Sequence, residues 1–171
     1  MDITSLANLL RENTNVLRLS DGLRLVSEAA WVVSGETKLS YTTLIRLVEC
    51  CREHHWEKDI RPQLNDNNNI DATCKDVQAR FIQPVKVGQI IDIVYAIREV
   101  RDRGYQLRFS VLDNKRLIQF AEVELVMVFI DAKDGNVVYP SAHIISRLQQ
   151  LCQQTSKHRD NISLHKDGQN E

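Results

Sequence analysis

Ser34 to Trp56, SGETKLSYTTLIRLVECCREHHW, decides how the rest of the chain is read. Its first residues are loop-forming, and from Ser40 to Ile60 neither proline nor glycine interrupts. Tyr41, Leu44, Ile45, Leu47, Val48 and Cys51 recur at helical spacing and form a broad apolar stripe. Ser40 and Thr42 each suit the N-cap, where a side-chain oxygen accepts an N–H that the first helical turn leaves unbonded. Apolar residues on more than one side predict an enclosed helix. Glu49, Arg52 and Glu53 fall at i, i+3 and i+4 and so share one strip. That strip is either a solvated salt-bridge ladder or a carboxylate and a guanidinium presented to a cleft, and the spacing leaves both open.

On either side of this helix the pattern changes. Ile3 to Leu10 predicts a short helix, and Ser20-Asp21-Gly22 a turn. Leu23 to Val33 is β-prone, and its Ala29–Val33 end reads as buried on both faces. Lys58 to Cys74 reads as a connector, with Pro62 and the run Asn65 to Asn69 favouring turns. Strands are then predicted over Val77–Gln83, Gln89–Val100, Tyr105–Leu112 and Arg116–Ile130, as a meander of four. Turns fall at Arg101–Gly104, Asp113–Lys115 and Asp134–Asn136. Pro140 precedes a helix through Leu151, with Ile144, Ile145, Leu148 and Leu151 as its stripe. Thr155 to Glu171 is a polar tail that frays. The expected organisation is an N-terminal helix and turn over 1–22, one domain over 23–152, and a flexible tail over 153–171. A run of antiparallel strands with a helix on one face is of the α+β class.

Composition narrows the function. The 171 residues are 43% hydrophobic and 26% charged, enough apolar material for one core. The net charge of −1 carries no nucleic-acid footprint. No apolar run reaches membrane-spanning length, and the first residues lack the basic start and apolar block of a signal peptide. These features point to the cytoplasm. Cys50, Cys51, Cys74 and Cys152 make no C-x-x-C pair and have no histidine at ligand spacing, so they read as buried small hydrophobes rather than metal ligands. His54 and His55 close the helix, where surface or capping roles suit them.

Certain local features form a pattern with a known counterpart. Tyr41, Glu49-Cys50-Cys51-Arg52 and Trp56 place an aromatic, a Glu-x-x-Arg and a second aromatic along one helix. Phe81, Pro84 and Gly88 mark the end of one strand and the approach to the next. With the order strand, long helix, strands, this resembles the hot-dog fold, a curved antiparallel sheet wrapped around one long helix. Within that fold it is similar to the acyl-CoA thioesterases of the 4-hydroxybenzoyl-CoA type. Cys51-Arg52-Glu53 also looks like the thioesterases of enediyne polyketide pathways. The resemblance covers roughly Leu23 to Ile130.

The resemblance implies a thioesterase acting on an acyl-CoA or acyl-carrier-protein substrate, without a cofactor or metal, as a homodimer or homotetramer whose site lies at a subunit interface. Many members of the family carry a catalytic Asp in the loop before the helix, and counting back from Glu49-x-x-Arg52 puts Ser34 at that place. The enediyne type has Asn there and an Arg that orients the substrate. The catalytic candidates are therefore Glu49, Ser34, Arg52 and Glu36. A helix amino terminus offers free N–H groups to a developing oxyanion, which makes Thr42 and Thr43 substrate-binding candidates beside the motif aromatics Tyr41 and Phe81. The alternative with Ser34 in the acid's place is a non-catalytic acyl-thioester-binding or regulatory protein. A dehydratase of the same fold would need a histidine before the helix, where there is none.

Overall fold

The computed structural model describes residues 16–27, 37–64 and 69–164. The predicted helix at Ile3–Leu10, the Ala29–Val33 strand end, most of the asparagine run and the end of the tail lie outside the described residues, as do Ser34 and Glu36.

Helix α1 (Tyr41–His55) starts where the chain leaves an extended conformation at Ser40. The Ser40 hydroxyl accepts the Thr43 N–H at 3.1 Å, so Ser40 is the N-cap and Thr42 lies inside the first turn. Leu44, Leu47, Val48, Cys51 and His55 are buried on one face. The enclosure expected from sequence holds for that face only. Ile45, Glu49 and Arg52 are half-buried on the outer side, and Tyr41 is 64% exposed rather than part of the stripe. The chain does not leave the helix at Trp56. It widens into a π-turn (Trp56–Ile60), then a 3-10 turn (Arg61–Gln63) that begins around Pro62. The expected connector from Lys58 is therefore helical at its start, and its last residues are already strand.

The sheet has six antiparallel strands: β1 (Val16–Leu19), β2 (Gly22–Val26), β3 (Ile70–Phe81), β4 (Ile90–Arg101), β5 (Gly104–Asp113) and β6 (Gln119–Asp131). Their spatial order is β1-β2-β4-β5-β6-β3. Strand β1, inside the stretch expected to be helix and turn, pairs with β2 across Ser20-Asp21. Only β4, β5 and β6 form a meander. Strand β3 pairs with β6, not with its sequence neighbour β4, so residues 82–89 carry the chain back across two strands. Three strand spacings are about 14 Å, well within the reach of that link.

One face of the sheet carries the core. Ile91, Ile93, Tyr95 and Ile97 of β4, Leu107, Phe109 and Val111 of β5, and Val123, Leu125, Met127 and Phe129 of β6 are all buried. The period of two puts Asp92, Arg108, Glu122 and Glu124 on the other face. Asp92 is enclosed there by Arg24, which donates at 2.7 and 2.9 Å, and by Arg116 at 3.1 Å. Gly104 sits at the β4–β5 hairpin, but its special demand is closeness: a Cβ there would run into the Met127 carbonyl. Helix α2 (Ala142–Leu164) buries Ile144 and Leu148 and continues well past Leu151, through residues expected to fray.

Candidate functional site

The amino end of α1 is built by short-range hydrogen bonding. Ser40 holds both the Thr43 N–H and, at 2.9 Å, the Thr43 hydroxyl. Thr43 is thereby committed to the cap. Among the described residues the N–H groups of Tyr41 and Thr42 in the first turn have no hydrogen-bond acceptor. No acidic side chain lies in that turn, so its partial positive charge is not offset from within the helix. Residues 37–39 run antiparallel to 85–87, with Leu39 N–H donating to the Val85 carbonyl at 2.9 Å. This folds the end of β3 back against the start of α1. The Tyr41 and Phe81 rings meet with centroids 4.3 Å apart, tilted by 30°. The structure thus brings together Tyr41, Thr42 and Phe81.

Glu49 and Arg52 lie two turns further along the outer side. Arg52 Nε donates to Glu49 Oε2 at 2.7 Å, and the two side chains are 19% and 38% exposed. Burial opposes the charge on Arg52, but the hydrogen bond and charge of Glu49 outweigh it and hold the guanidinium firmly protonated. Cys74 of β3 is near enough to feel both groups: burial raises its thiol pKa first, and the Glu49 charge raises it further. The pair is therefore neither a fully solvated ladder nor a buried bridge. It is a carboxylate and a guanidinium set beside strand β3, with room for solvent at the carboxylate.

Eight residues separate Tyr41 from Glu49, a rise of about 12 Å at 1.5 Å per residue. Within one copy of the chain, then, the free N–H groups and the carboxylate cannot both touch one reacting carbonyl.

At the carboxyl end of α1 lies a polar cluster that reading from sequence did not foresee. His55 is not at the surface: it is fully buried. The π-turn swings Asp59 back so that its Oδ2 lies 3.0 Å from His55 Nδ1 and accepts the Tyr95 hydroxyl at 2.7 Å. Arg147 of α2 reaches Asp59 Oδ1 at 3.3 Å. Burial would raise the Asp59 carboxyl, but hydrogen bonds from His55 and Tyr95 and the nearby charge of Lys58 overcome it and bring its pKa to about 2. His55 is pushed below the ordinary imidazole value, chiefly by burial and against the pull of Asp59. A neutral ring donating from Nδ1 to Asp59 follows, with Nε2 buried and without a partner among the described residues. The four-residue spacing from His55 to Asp59 was the available signal. A connector beginning at Lys58 leaves Asp59 outside the helix, and the spacing carries no weight there. Among the described residues no cluster of three His, Cys, Asp or Glu could hold a metal ion, and no described helix is long and apolar enough to cross a membrane.

No protein-family model and no curated protein sequence matches the chain. Solved structures do. A probable thioesterase from Escherichia coli superposes with a TM-score of 0.67 at 12% identity, over 77% of this chain and 98% of its own. A 1,4-dihydroxy-2-naphthoyl-CoA thioesterase from Synechocystis gives 0.64 at 9% identity, over 77% and 96%. The dynemicin thioesterase, whose structures concern polyene binding, gives 0.62 at 13% identity, over 81% and 97%. These likenesses establish the fold: a curved antiparallel sheet with a long helix against it, the hot-dog architecture.

Proposed function

We propose that the chain is a thioesterase that hydrolyses an acyl-CoA or acyl-carrier-protein thioester at a site formed between two copies. The observation that carries this reading is the Glu49–Arg52 pair on the half-buried outer side of α1, beside strand β3. That strand is the sheet's edge, and residues 75–80 are exposed along it. An exposed edge of this length offers unpaired N–H and C=O groups to another strand. Two copies joined there, with their α1 helices antiparallel, would set the Glu49 of one beside the α1 amino end of the other. The 12 Å gap within each copy is thereby closed.

In that arrangement the N–H groups of Tyr41 and Thr42 stabilise the oxyanion that forms on the thioester carbonyl. Glu49 is the general base for water, or the nucleophile, and Arg52 orients its carboxylate through the 2.7 Å hydrogen bond. Tyr41 and Phe81 form an aromatic wall for the acyl group. Ser34 and Glu36, which precede the same helix end, are the second candidates for activating water. The solved thioesterases of the same architecture support this reading. It is tested by following free thiol release from acyl-CoAs of several chain lengths and from an acyl carrier protein. Turnover of any of them above buffer is expected, and none by folded, dimeric protein refutes it.

A further inference from the structure

We propose that Lys38 and Lys86 form a phosphate-binding clip for the carrier half of the thioester. The two residues are directly opposed in an isolated antiparallel bridge. The hydrogen bonds flanking them, Leu39 N–H to the Val85 carbonyl at 2.9 Å and Val87 N–H to the Thr37 carbonyl at 3.0 Å, leave 38 and 86 themselves as the non-hydrogen-bonded pair. That is the register at which opposed side chains come closest. Leu39 and Val85 are buried, so by alternation both lysines project to the same solvent side, and both are exposed.

Like charges directly opposed across two strands destabilise the pairing. Here the chain cannot slip to relieve it. The Ser27 hydroxyl, itself buried, donates to the Lys86 carbonyl at 2.6 Å, and the Lys86 N–H donates to Gln89 Oε1 at 2.6 Å. Ser27 is in turn bonded through its own backbone to Gly88 and Gln89. The buried Leu39 and Val85, one beside each lysine, fix the ribbon's face. Among the described residues neither ammonium is in an ion pair. Two cations with no ion-pair partner among the described residues are thus held together by a braced backbone, two residues before the cap of α1. The chemistry that fits is an oxyanion able to bridge both ammoniums, and a phosphate ester does so with separate oxygens.

The geometry of the clip is independent of catalysis, but naming its ligand rests on the thioesterase reading. Coenzyme A bears phosphates on its nucleotide and on its pantetheine arm, and a carrier protein bears only the latter. The test is calorimetric titration of the full chain with CoA, 4′-phosphopantetheine and pantetheine, for the native protein and for the K38Q/K86Q variant. The native protein is expected to bind the phosphorylated ligands more tightly than pantetheine. The double variant should lose about five- to tenfold toward them, two exposed charges at the usual strength of such contacts, and nothing toward pantetheine. Loss toward CoA alone assigns the clip to the nucleotide phosphates, and equal loss toward phosphopantetheine assigns it to the phosphate that a carrier protein shares. Equal native affinity for all three, or an unchanged double variant, overturns the clip. Hydrolysis of an acyl-pantetheine by both proteins, measured alongside, separates the proposals: it can persist when the clip fails, and phosphate-dependent binding can persist when hydrolysis is absent.

Discussion

Replacing Asp59 by Asn tests whether the buried cluster at the end of α1 holds the fold together. Asn keeps the shape of Asp and removes its charge, so it mimics the protonated acid. The side chain is 2% exposed, so solvent screening does little to weaken its contacts. Its carboxyl is held at about 2 against an ordinary 3.8, and each tenfold change in proton affinity is about 1.4 kcal/mol. The ionised form is therefore favoured by about 2 kcal/mol relative to the neutral one. Asp59→Asn should cost about that much at pH 7, a fall in Tm of roughly 4–8 °C for a chain of this size. The sign with pH follows from the lowered pKa. The Asp59 stabilisation is complete above the unfolded value near 4 and disappears as pH falls toward 2, so the gap between native and variant should narrow below pH 4. His55 acts in the same direction at higher pH. Its folded pKa lies below its unfolded one, so its contribution is present above about 6.5 and declines beneath it. Urea melts across this range, with Tyr95→Phe as the partner in a double-mutant cycle, measure all of it. An Asn variant within about 0.5 kcal/mol of the native protein at pH 7, or a gap that does not narrow in acid, would refute the reasoning.

Other consequences are simpler to state. Glu49→Gln keeps the hydrogen bond from Arg52 and removes the base, so thiol release should fall by roughly a hundredfold or more with the melting curve nearly unmoved; retained turnover would transfer the role to Ser34 or Glu36. Leu47→Ala opens a cavity at a fully buried position under the sheet and should cost about 2–5 kcal/mol in a urea melt. A Cβ at Gly22 would drive into the Ile93 carbonyl, so Gly22→Ala should be destabilised enough to appear in expression yield and Tm. Burial raises the Cys51 thiol well above its ordinary pKa, so thiol reagents followed by peptide mass analysis should label it only on unfolding, while half-buried Cys50, Cys74 and Cys152 react earlier.

How far the sequence discloses this molecule depends on the range of the interaction concerned. The stripe Leu44, Leu47, Val48 and Cys51 and the alternations in β4, β5 and β6 are local, and each appears where its period puts it. Strand order is not local. Nothing in Val77–Gln83 says that its partner is β6 rather than β4, because pairing is decided by the whole sheet. Strand β1 has only four residues, too few to show a period. The Glu49–Arg52 contact was legible from its spacing, but its half-exposed setting depends on where β3 lies. His55 was misjudged because a histidine at a helix end usually meets water, and only the π-turn brings Asp59 beneath it. Ser34 and Glu36 lie outside the described residues and remain candidates from motif position alone.

The direction in which Glu49 points is the step on which the functional reading depends, and it follows from the burial of its neighbours. Successive helical residues are rotated by about 100°. A shift of one position would turn Glu49 toward the core and an apolar residue outward. Two anchors resist that rotation. At one end Ser40 caps Thr43, and the backbone just before it is paired with 85–87. At the other, His55 is locked to Asp59, Tyr95 and, through Asp59, the Arg147 of α2. Between them Leu44, Leu47, Val48 and Cys51 occupy the face against the sheet. With both ends held and the inner face filled, Glu49 and Arg52 have only the outer side available. The cluster at His55 therefore has a positional role as well as a stabilising one, although it lies far from the helix end where the thioester carbonyl would be held. Tyr95→Phe should then lower kcat more than it raises KM, because an altered helix rotation misplaces the base without removing any group that binds the substrate. A loss confined to KM would show that the cluster stabilises the fold and nothing more.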